Sequence, residues 1–246
     1  MTGKNNTKKP LQTLNFSTSN TNYLFEDFNR NHIFKIINLS NPLSSKPKIV
    51  AHLNENQQGM KQLLRKKIGA ERKTLSEATF FDYSKKICDT FLQSNEFKEA
   101  NIIHCYVSMN ARKEVDTISL LQKIIDSGKT VIVPVMLADG LLEHVQLNNL
   151  DVLKENVWGI LEPVQGIKLN PDTADCIIVP MLAGDIHGNR LGYGKGYYDR
   201  FLSGSNAIKI GFCFDFAILD TLPTEQHDEK LSYIITEKRI LSARYP

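Results

Sequence analysis

The segment Arg190-Leu-Gly-Tyr-Gly-Lys-Gly-Tyr-Tyr-Asp199 concentrates residue types that handle a polyanion. Gly192, Gly194 and Gly196 stand at alternate positions, free to adopt backbone conformations closed to other residues and to bring peptide N–H groups close to an anion. Lys195 sets a cation in the middle of the run, and Arg190 sets another at its start. A helix beginning near Gly196 would aim its free N–H groups at the same anion. Tyr197 and Tyr198 offer flat faces and hydroxyls for a ring system, and Asp199 offers a carboxylate for a magnesium ion bridging phosphate oxygens. The chemistry suggested is nucleotide phosphate binding; the plainer alternative is a glycine-rich turn with tyrosines packed beside it. Two common phosphate loops are excluded. A Walker A loop needs Ser or Thr after its lysine and Gly six residues before it, where this chain has Gly196 and Asn189. The dinucleotide fingerprint needs Gly at 197, which is Tyr.

Such a loop must hang from a scaffold, and the pattern upstream and downstream supplies one. A helix is predicted from Met60 to about Arg72, with Leu63, Leu64 and Ile68 on one face. Thr74-Leu-Ser-Glu77 has capping-box spacing, and the helix after it repeats Phe80, Tyr83, Ser84, Ile87, Cys88, Phe91 and Leu92 at helical intervals. Asp116 is placed to cap a further helix that ends at Gly128. Apolar runs at 101–107, 130–135, 175–180, 208–212 and 233–236 read as strands, and 140–147 alternates like an exposed edge. Strands alternating with helices predict an α/β domain with a mainly parallel sheet covered on both faces. Ligands in such sheets sit beyond the carboxyl ends of strands, so the loops after Val107, Val135 and Pro180 are the ones that matter.

Composition excludes several classes. The 246 residues carry 30 basic and 27 acidic side chains, a net charge of +3, which is no broad field for nucleic acid. No apolar run reaches the roughly 18 residues of a membrane span. The four cysteines have no C-x-x-C spacing and read as reduced, buried thiols of a cytoplasmic protein. Residues 1–59 differ in texture from the rest, with 11 Asn, 10 Ser or Thr, seven basic and three acidic residues, so residues 60–246 hold a net −1. Asn15–Asn22 and Asn38–Lys48 lack periodicity and read as disordered; Leu24–Leu39 allows an amphipathic turn or two. The expected organisation is a disordered Asn-rich extension over 1–59 and a working domain over 60–246. Met60 is read as the true start, with organelle targeting by the extension as the alternative.

Asp175-Cys-Ile-Ile-Val-Pro-Met-Leu-Ala183, Gly188-Asn-Arg-Leu-Gly192 and Gly194-Lys-Gly-Tyr-Tyr-Asp-Arg-Phe-Leu202 together resemble the 5-formyltetrahydrofolate cyclo-ligase family. Further markers fall in order: Lys61 and Arg65, Tyr106-Val-Ser-Met109 before Glu114, Gly159-Ile-Leu-Glu-Pro163, Leu222-Pro223, His227-Asp228 and Ile234-Ile-Thr-Glu237. The resemblance covers about 60–240. It implies a single three-layer domain of the NagB/RpiA/CoA-transferase-like type, acting as a monomer on 5-formyltetrahydrofolate with ATP and Mg2+. By motif position it implies ATP contacts at Lys61, Arg65 and the run Arg190, Leu191, Gly192, Tyr193, Gly194, Lys195, Gly196, Tyr197, Tyr198. It implies folate contacts at Met109, Glu114 and Tyr193 to Tyr197, metal contacts at Asp199 and Asp228, and catalytic charge from Lys195 and Arg190. Some relatives carry Arg where this chain has Tyr193. Judged apart from the family, Lys61 and Arg65 could equally form a solvated basic face with Lys66 and Lys67, and Glu114 a solvated acid. His227 and Trp158 read as structural. A non-catalytic folate- or nucleotide-binding protein, or another small-molecule enzyme such as a sugar-phosphate isomerase, are the alternatives to catalysis.

Overall fold

A computed structural model describes residues 14–18, 21–28, 33–38, 46–137, 140–157 and 159–243, with side chains described from residue 57 onward. The chain divides into two units, Met1–Asn54 and Glu55–Pro246. In the first, Leu14–Thr18, Thr21–Phe28 and Ile33–Asn38 pair as an antiparallel meander, with Leu14 opposite Phe25 and Tyr23 opposite Asn38. Within Leu24–Leu39, where an amphipathic turn or two was expected, residues 24–28 and 33–38 are strand; the aromatic and β-branched residues there suit a pleated ribbon. The remainder of residues 1–45, and with it part of the expected extension, lies outside the described residues.

The second unit is built on a seven-stranded sheet. Its strands are β1 (Ile102–Cys105), β2 (Thr130–Met136), β3 (Leu142–Gln146), β4 (Cys176–Pro180), β5 (Ile208–Phe212), β6 (Tyr233–Ile235) and β7 (Ile240–Ser242). They lie in the order β7-β6-β5-β4-β1-β2-β3. The five inner strands are mutually parallel, and the two edges, β3 and β7, are antiparallel. β7 is an addition to the expected series: its three residues are too few to show a period in the sequence.

The helices are α1 (Lys46–Lys73), α2 (Glu77–Gln93), α3 (Asn95–Glu99), α4 (Ile118–Asp126) and α5 (Tyr197–Leu202). α1 begins well upstream of Met60, and Pro47 is tolerated in its first turn, where a missing N–H costs nothing. α2 is capped by Ser76, whose Oγ accepts from the Thr79 N–H, whereas Thr74 Oγ1 donates back to Glu71 O. The capping-box spacing was therefore offset from the real cap. Asp116 Oδ1 does accept from the Ile118 N–H at the start of α4, at 3.3 Å. Gly128 takes the left-handed conformation (φ 75°) just past that helix, as its position suggested.

Alternate residues of each inner strand feed opposite faces of the sheet. Ile103, Cys105, Val131, Val133, Cys176, Ile178, Ile210 and Phe212 pack with Phe80, Ile87 and Phe91 of α2 and with Leu120, Leu121 and Ile124 of α4. Ile177, Val179 and Ile234 pack on the other side with Leu64 and Ile68 of α1 and Leu202 of α5. Each fully buried Ile, Leu or Phe contributes about 1.5–3 kcal/mol against exposure. The four cysteines are all buried free thiols.

Candidate active site

A cavity of about 520 Å³ opens at the carboxyl ends of β1, β2 and β4, lined there by Tyr106, Val107, Pro134, Met136 and Pro180. It is the place the parallel topology predicted. Leu142, Ile160 and Leu161 extend an apolar wall, and the opposite wall is the run from Arg190 to Asp199. Arg190 and Leu191 form a short strand paired with Ala183–Asp185. The turn between them is closed by the buried Asp185 carboxylate, which accepts from the His187 and Asn189 N–H groups, from Asn189 Nδ2 and from Leu222 N–H. That turn delivers the glycine loop to the cavity edge.

The three loop glycines have different physical reasons. Gly194 (φ 90°) and Gly196 (φ 71°) occupy conformations that other residues rarely adopt. A Cβ on Gly194 would also lie 3.0 Å from the Arg65 guanidinium carbon. Gly192 has neither requirement: nothing lies within 4 Å of where its Cβ would be. The open space before it is cavity, so the absent side chain leaves room for a ligand to approach the backbone. Gly196 is the N-cap of α5. Arg200 pins the far side of the loop by donating to Gly140 O and to Lys195 O.

α1 approaches the loop with a mixed stripe. Lys61, Leu64, Ile68 and Arg72 are buried and Arg65 is half-buried, while Leu63, Lys66 and Lys67 face solvent. Leu63 is thus a correction: it was expected on the buried face and is 40% exposed. Lys61 and Arg65 are separated from the solvated lysines by the turn of the helix, so the shared basic face is also corrected. Arg65 Nε donates to Gly192 O at 2.9 Å. Lys61 Nζ lies outside the cavity lining, ion-paired with Glu225 (2.8 Å) and Asp228 (2.7 Å).

The two expected metal ligands sit in different settings. Asp199 lines the cavity and pairs through Oδ1 with Arg190 Nη2. Asp228 does not line it and clusters instead with Glu225 and His227, their ligand atoms within 4.8 Å of one another. Arg190 is 8% exposed and also donates to Glu229 O. Burial lowers its pKa, against the opposing pull of Asp199 and Asp228. Lys195 is exposed at the cavity, with no side-chain hydrogen bond or ion pair among the described residues.

Met109 and Glu114 line the same cavity, on the segment that follows β1. Glu114 is 7% exposed, not solvated, and its Oε2 accepts from the Met109 N–H at 2.9 Å. Burial pushes its carboxyl above the ordinary value, while the Met109 N–H, the Tyr193 hydroxyl, Arg72 and Arg112 act to lower it. Tyr193 turns its hydroxyl toward Glu114 and takes a hydrogen bond from Arg72 Nη1 at 3.0 Å. Tyr197 and Tyr198 both line the cavity; the Tyr198 hydroxyl is buried without a hydrogen-bond partner among the described residues. Trp158 lies outside the described residues, and His227 is exposed with its Nε2 3.7 Å from Glu225.

Arg72 and Arg112 escaped the sequence reading. Arg72 is fully buried and donates through Nη2 to Met181 O and Leu182 O. Its signal was present: Lys61, Leu64, Ile68 and Arg72 follow one another at intervals of 3, 4 and 4 residues, so one face of α1 carries both cations and apolar residues. Arg112 stacks over the Tyr193 ring, 5.2 Å from its centroid. Only the turn that folds it back onto the loop reveals that contact.

The arrangement is a glycine-rich loop with a lysine at its centre, facing an apolar slot that a buried carboxylate also lines. The model of the 5-formyltetrahydrofolate cyclo-ligase family matches residues 57–237. A probable 5-formyltetrahydrofolate cyclo-ligase of Schizosaccharomyces pombe is 30% identical over 198 residues, covering 74% of this chain and 97% of the relative. The mouse 5-formyltetrahydrofolate cyclo-ligase is 25% identical over 75% of this chain and 95% of its own. The solved 5,10-methenyltetrahydrofolate synthetase of Aquifex aeolicus superposes with a TM-score of 0.69 at 32% identity, covering 76% of this chain and 94% of that one.

Proposed function

The chain belongs to the 5-formyltetrahydrofolate cyclo-ligase family, and we infer that its cavity binds ATP and 5-formyltetrahydrofolate side by side and cyclises the folate. The activity is the ATP-dependent conversion of 5-formyltetrahydrofolate to 5,10-methenyltetrahydrofolate with release of ADP and phosphate. The observation that carries this reading is that Gly192, Lys195, Met109 and Glu114 line one cavity.

The formyl oxygen attacks the γ-phosphorus of ATP, the bond from that phosphorus to the bridging oxygen breaks, and its electron pair leaves on ADP. The N5 lone pair moves onto the formyl carbon, giving an iminium phosphate. N10 then bonds to that carbon and loses its proton, and phosphate departs with the C–O electron pair. This needs alignment and charge neutralisation more than a nucleophile. The loop N–H groups and Lys195 are suited to the phosphates. Arg65 holds the loop through the Gly192 carbonyl, and Glu114 offers an acceptor for pterin N–H groups. The apolar wall of Pro134, Met136, Leu142 and Leu161 keeps water from the iminium phosphate.

Asp199 and Asp228 would supply oxygen donors that suit Mg2+, each already ion-paired in the folded chain, Asp199 with Arg190 and Asp228 with Lys61. Asp199, at the cavity, would be the principal ligand; bound Mg2+ would neutralise phosphate charge. The unit that carries the chemistry is residues 60–246, and it works as a cytoplasmic monomer without nucleic-acid or membrane partners. Among the described residues, no helix is long and apolar enough to cross a membrane. The test mixes the purified full chain with 5-formyltetrahydrofolate, ATP and Mg2+ and follows the methenyl chromophore. Growth that requires ATP supports the reading, and folded protein that binds both ligands without turnover overturns it.

A further inference from the structure

Of the cations around the cavity, most are already committed. Arg190 is held by Asp199 and Glu229 O, Arg65 by Gly192 O, Arg72 by Met181 O, Leu182 O and the Tyr193 hydroxyl, and Lys61 by Glu225 and Asp228. Three cations line the cavity itself: Arg112, Arg190 and Lys195. Among the described residues, Arg112 and Lys195 are the two of these whose side chains make no hydrogen bond or ion pair. Lys195 belongs to the glycine loop. Arg112 comes from the opposite wall and lies over the ring of Tyr193, between Gly192 and Gly194.

Stacking on a ring face leaves every guanidinium N–H free to donate. The turn that carries Arg112 is held by hydrogen bonds and an ion pair. Arg112 N–H donates to Met109 O and Lys113 N–H to Asn110 O. Lys113 holds a left-handed conformation at φ 47°, unlike any other non-glycine among the described residues. Its ammonium is bound to Leu75 O and to Glu77 at the start of α2. Left-handed conformations at non-glycine residues are costly and persist where surrounding structure enforces them. Here the enforced result is a guanidinium aimed across the cavity at the loop.

We propose that Arg112 is a catalytic residue, contacting the γ-phosphoryl group during its transfer from ATP to the formyl oxygen, so that charge is met by Lys195 on one side and Arg112 on the other. The proposal rests on the cyclo-ligase reading given above. The planar fork matches the equatorial oxygens of a transferring phosphoryl group, whose charge grows as the bond to ADP breaks. Arg112 lies over Tyr193, a residue of the glycine loop, and its field also reaches Glu114; its place over the loop, between Gly192 and Gly194, is the ground for assigning it to the phosphate.

The test compares full-length wild type with Arg112→Ala and Arg112→Lys in steady-state turnover, with and without added guanidinium ion. Arg112 is exposed, so both variants should melt within about 2 °C of wild type. The expected result for Arg112→Ala is a kcat loss of about 100-fold or more, KM values for ATP and folate within about threefold, and partial rescue by guanidinium. Arg112→Lys should recover less than guanidinium does, since an ammonium cannot form the bidentate fork. A second readout uses no turnover: ADP with aluminium fluoride, a mimic of the transferring group, should bind Arg112→Ala far more weakly while ATP binds equally. Unchanged kcat and unchanged mimic affinity overturn the proposal. So does a loss confined to KM for 5-formyltetrahydrofolate, which would place Arg112 on the folate carboxylates. Failure of the wild type to turn over would instead overturn the functional reading itself.

Discussion

The two walls of the cavity are made in opposite ways. The loop from Arg190 to Asp199 takes its path from local features, since two of its glycines have positive φ and Asp185 closes the turn before it, and only its fastening by Arg65 of α1 and by Arg200 to Gly140 O comes from elsewhere. The wall from Tyr106 to Glu114 is shaped from a distance. Glu114 is kept in place by the Met109 N–H, by Tyr193 from the loop and by the field of Arg72 from α1. The loop therefore announces itself as a motif, while the facing wall exists only once the chain has folded. A local wall should fail locally and leave the fold intact; a wall held from afar should couple activity to stability.

The sharpest way to break that contrast is at Gly194. Gly194→Val must enter a left-handed conformation and strike the Arg65 guanidinium, which displaces the phosphate cradle. Turnover should fall about 1,000-fold, the order expected for lost electrostatic preorganisation. The melting temperature should drop by only a few degrees, because Gly194 belongs to neither core. Kinetics and thermal melts of the same preparation check both halves. A large loss of stability would show that the loop is not locally built.

Arg72→Met should do the reverse. It removes the donor to Met181 O and Leu182 O and the partner of the Tyr193 hydroxyl. Leaving buried carbonyls unpaired costs about 2–3 kcal/mol, a fall of about 5–10 °C for a domain of this size. Calorimetry that found the variant as stable as wild type would remove Arg72 from the account.

How far these walls could be read in advance follows from the same difference. Parallel strands and the core face of α2 were legible because alternation and helical spacing are local, and Gly192 to Gly196 because glycine strings are local. Arg72 was passed over because a basic residue on a helix is ordinarily solvated, and burial of its guanidinium depends on carbonyls more than 100 residues away. Apart from the family resemblance, which makes Glu114 a folate contact, its own sequence context left a solvated acid equally open for the same reason. Lys61 pairs with Asp228 at a separation of 167 residues, which no spacing rule encodes. β7 was too short to see, and the Ser76 cap lay two residues from the Thr74 expected by pattern.

Glu114→Gln separates binding from folding on the distant wall. Burial raises the Glu114 pKa in the folded chain, so the unfolded carboxyl ionises more readily and its charge costs the fold at neutral pH. The amide removes that cost while still accepting from the Met109 N–H. The melting temperature at pH 7 should rise by about 2 °C, while KM for 5-formyltetrahydrofolate rises about tenfold, as for one lost charged hydrogen bond. A rise in KM for ATP alone would place Glu114 on the wrong ligand.

The smallest effect concerns the edge of the sheet beneath α5. His104 and His144 pair at 3.1 Å, and Phe201 packs on both rings. Burial holds both imidazoles below the ordinary value of 6.5, His104 far below it. Folded pKa values lie under the unfolded ones, so the unfolded chain takes up protons first as pH falls. Stability is full above about 6.5 and is lost below it, by about 1 kcal/mol per pH unit for a group that stays neutral when folded. Melting curves at pH 7.0 and 5.5 should differ more for wild type than for His104→Leu; equal differences would reject this role.

The central claim is that the two walls serve one reaction, and stoichiometry tests it most directly. With the full chain, limiting 5-formyltetrahydrofolate and excess ATP and Mg2+, one ADP and one phosphate should be released for each 5,10-methenyltetrahydrofolate formed, with negligible ADP in the absence of folate. Steady ADP release uncoupled from the methenyl product, or methenyl formation without ATP, would contradict it.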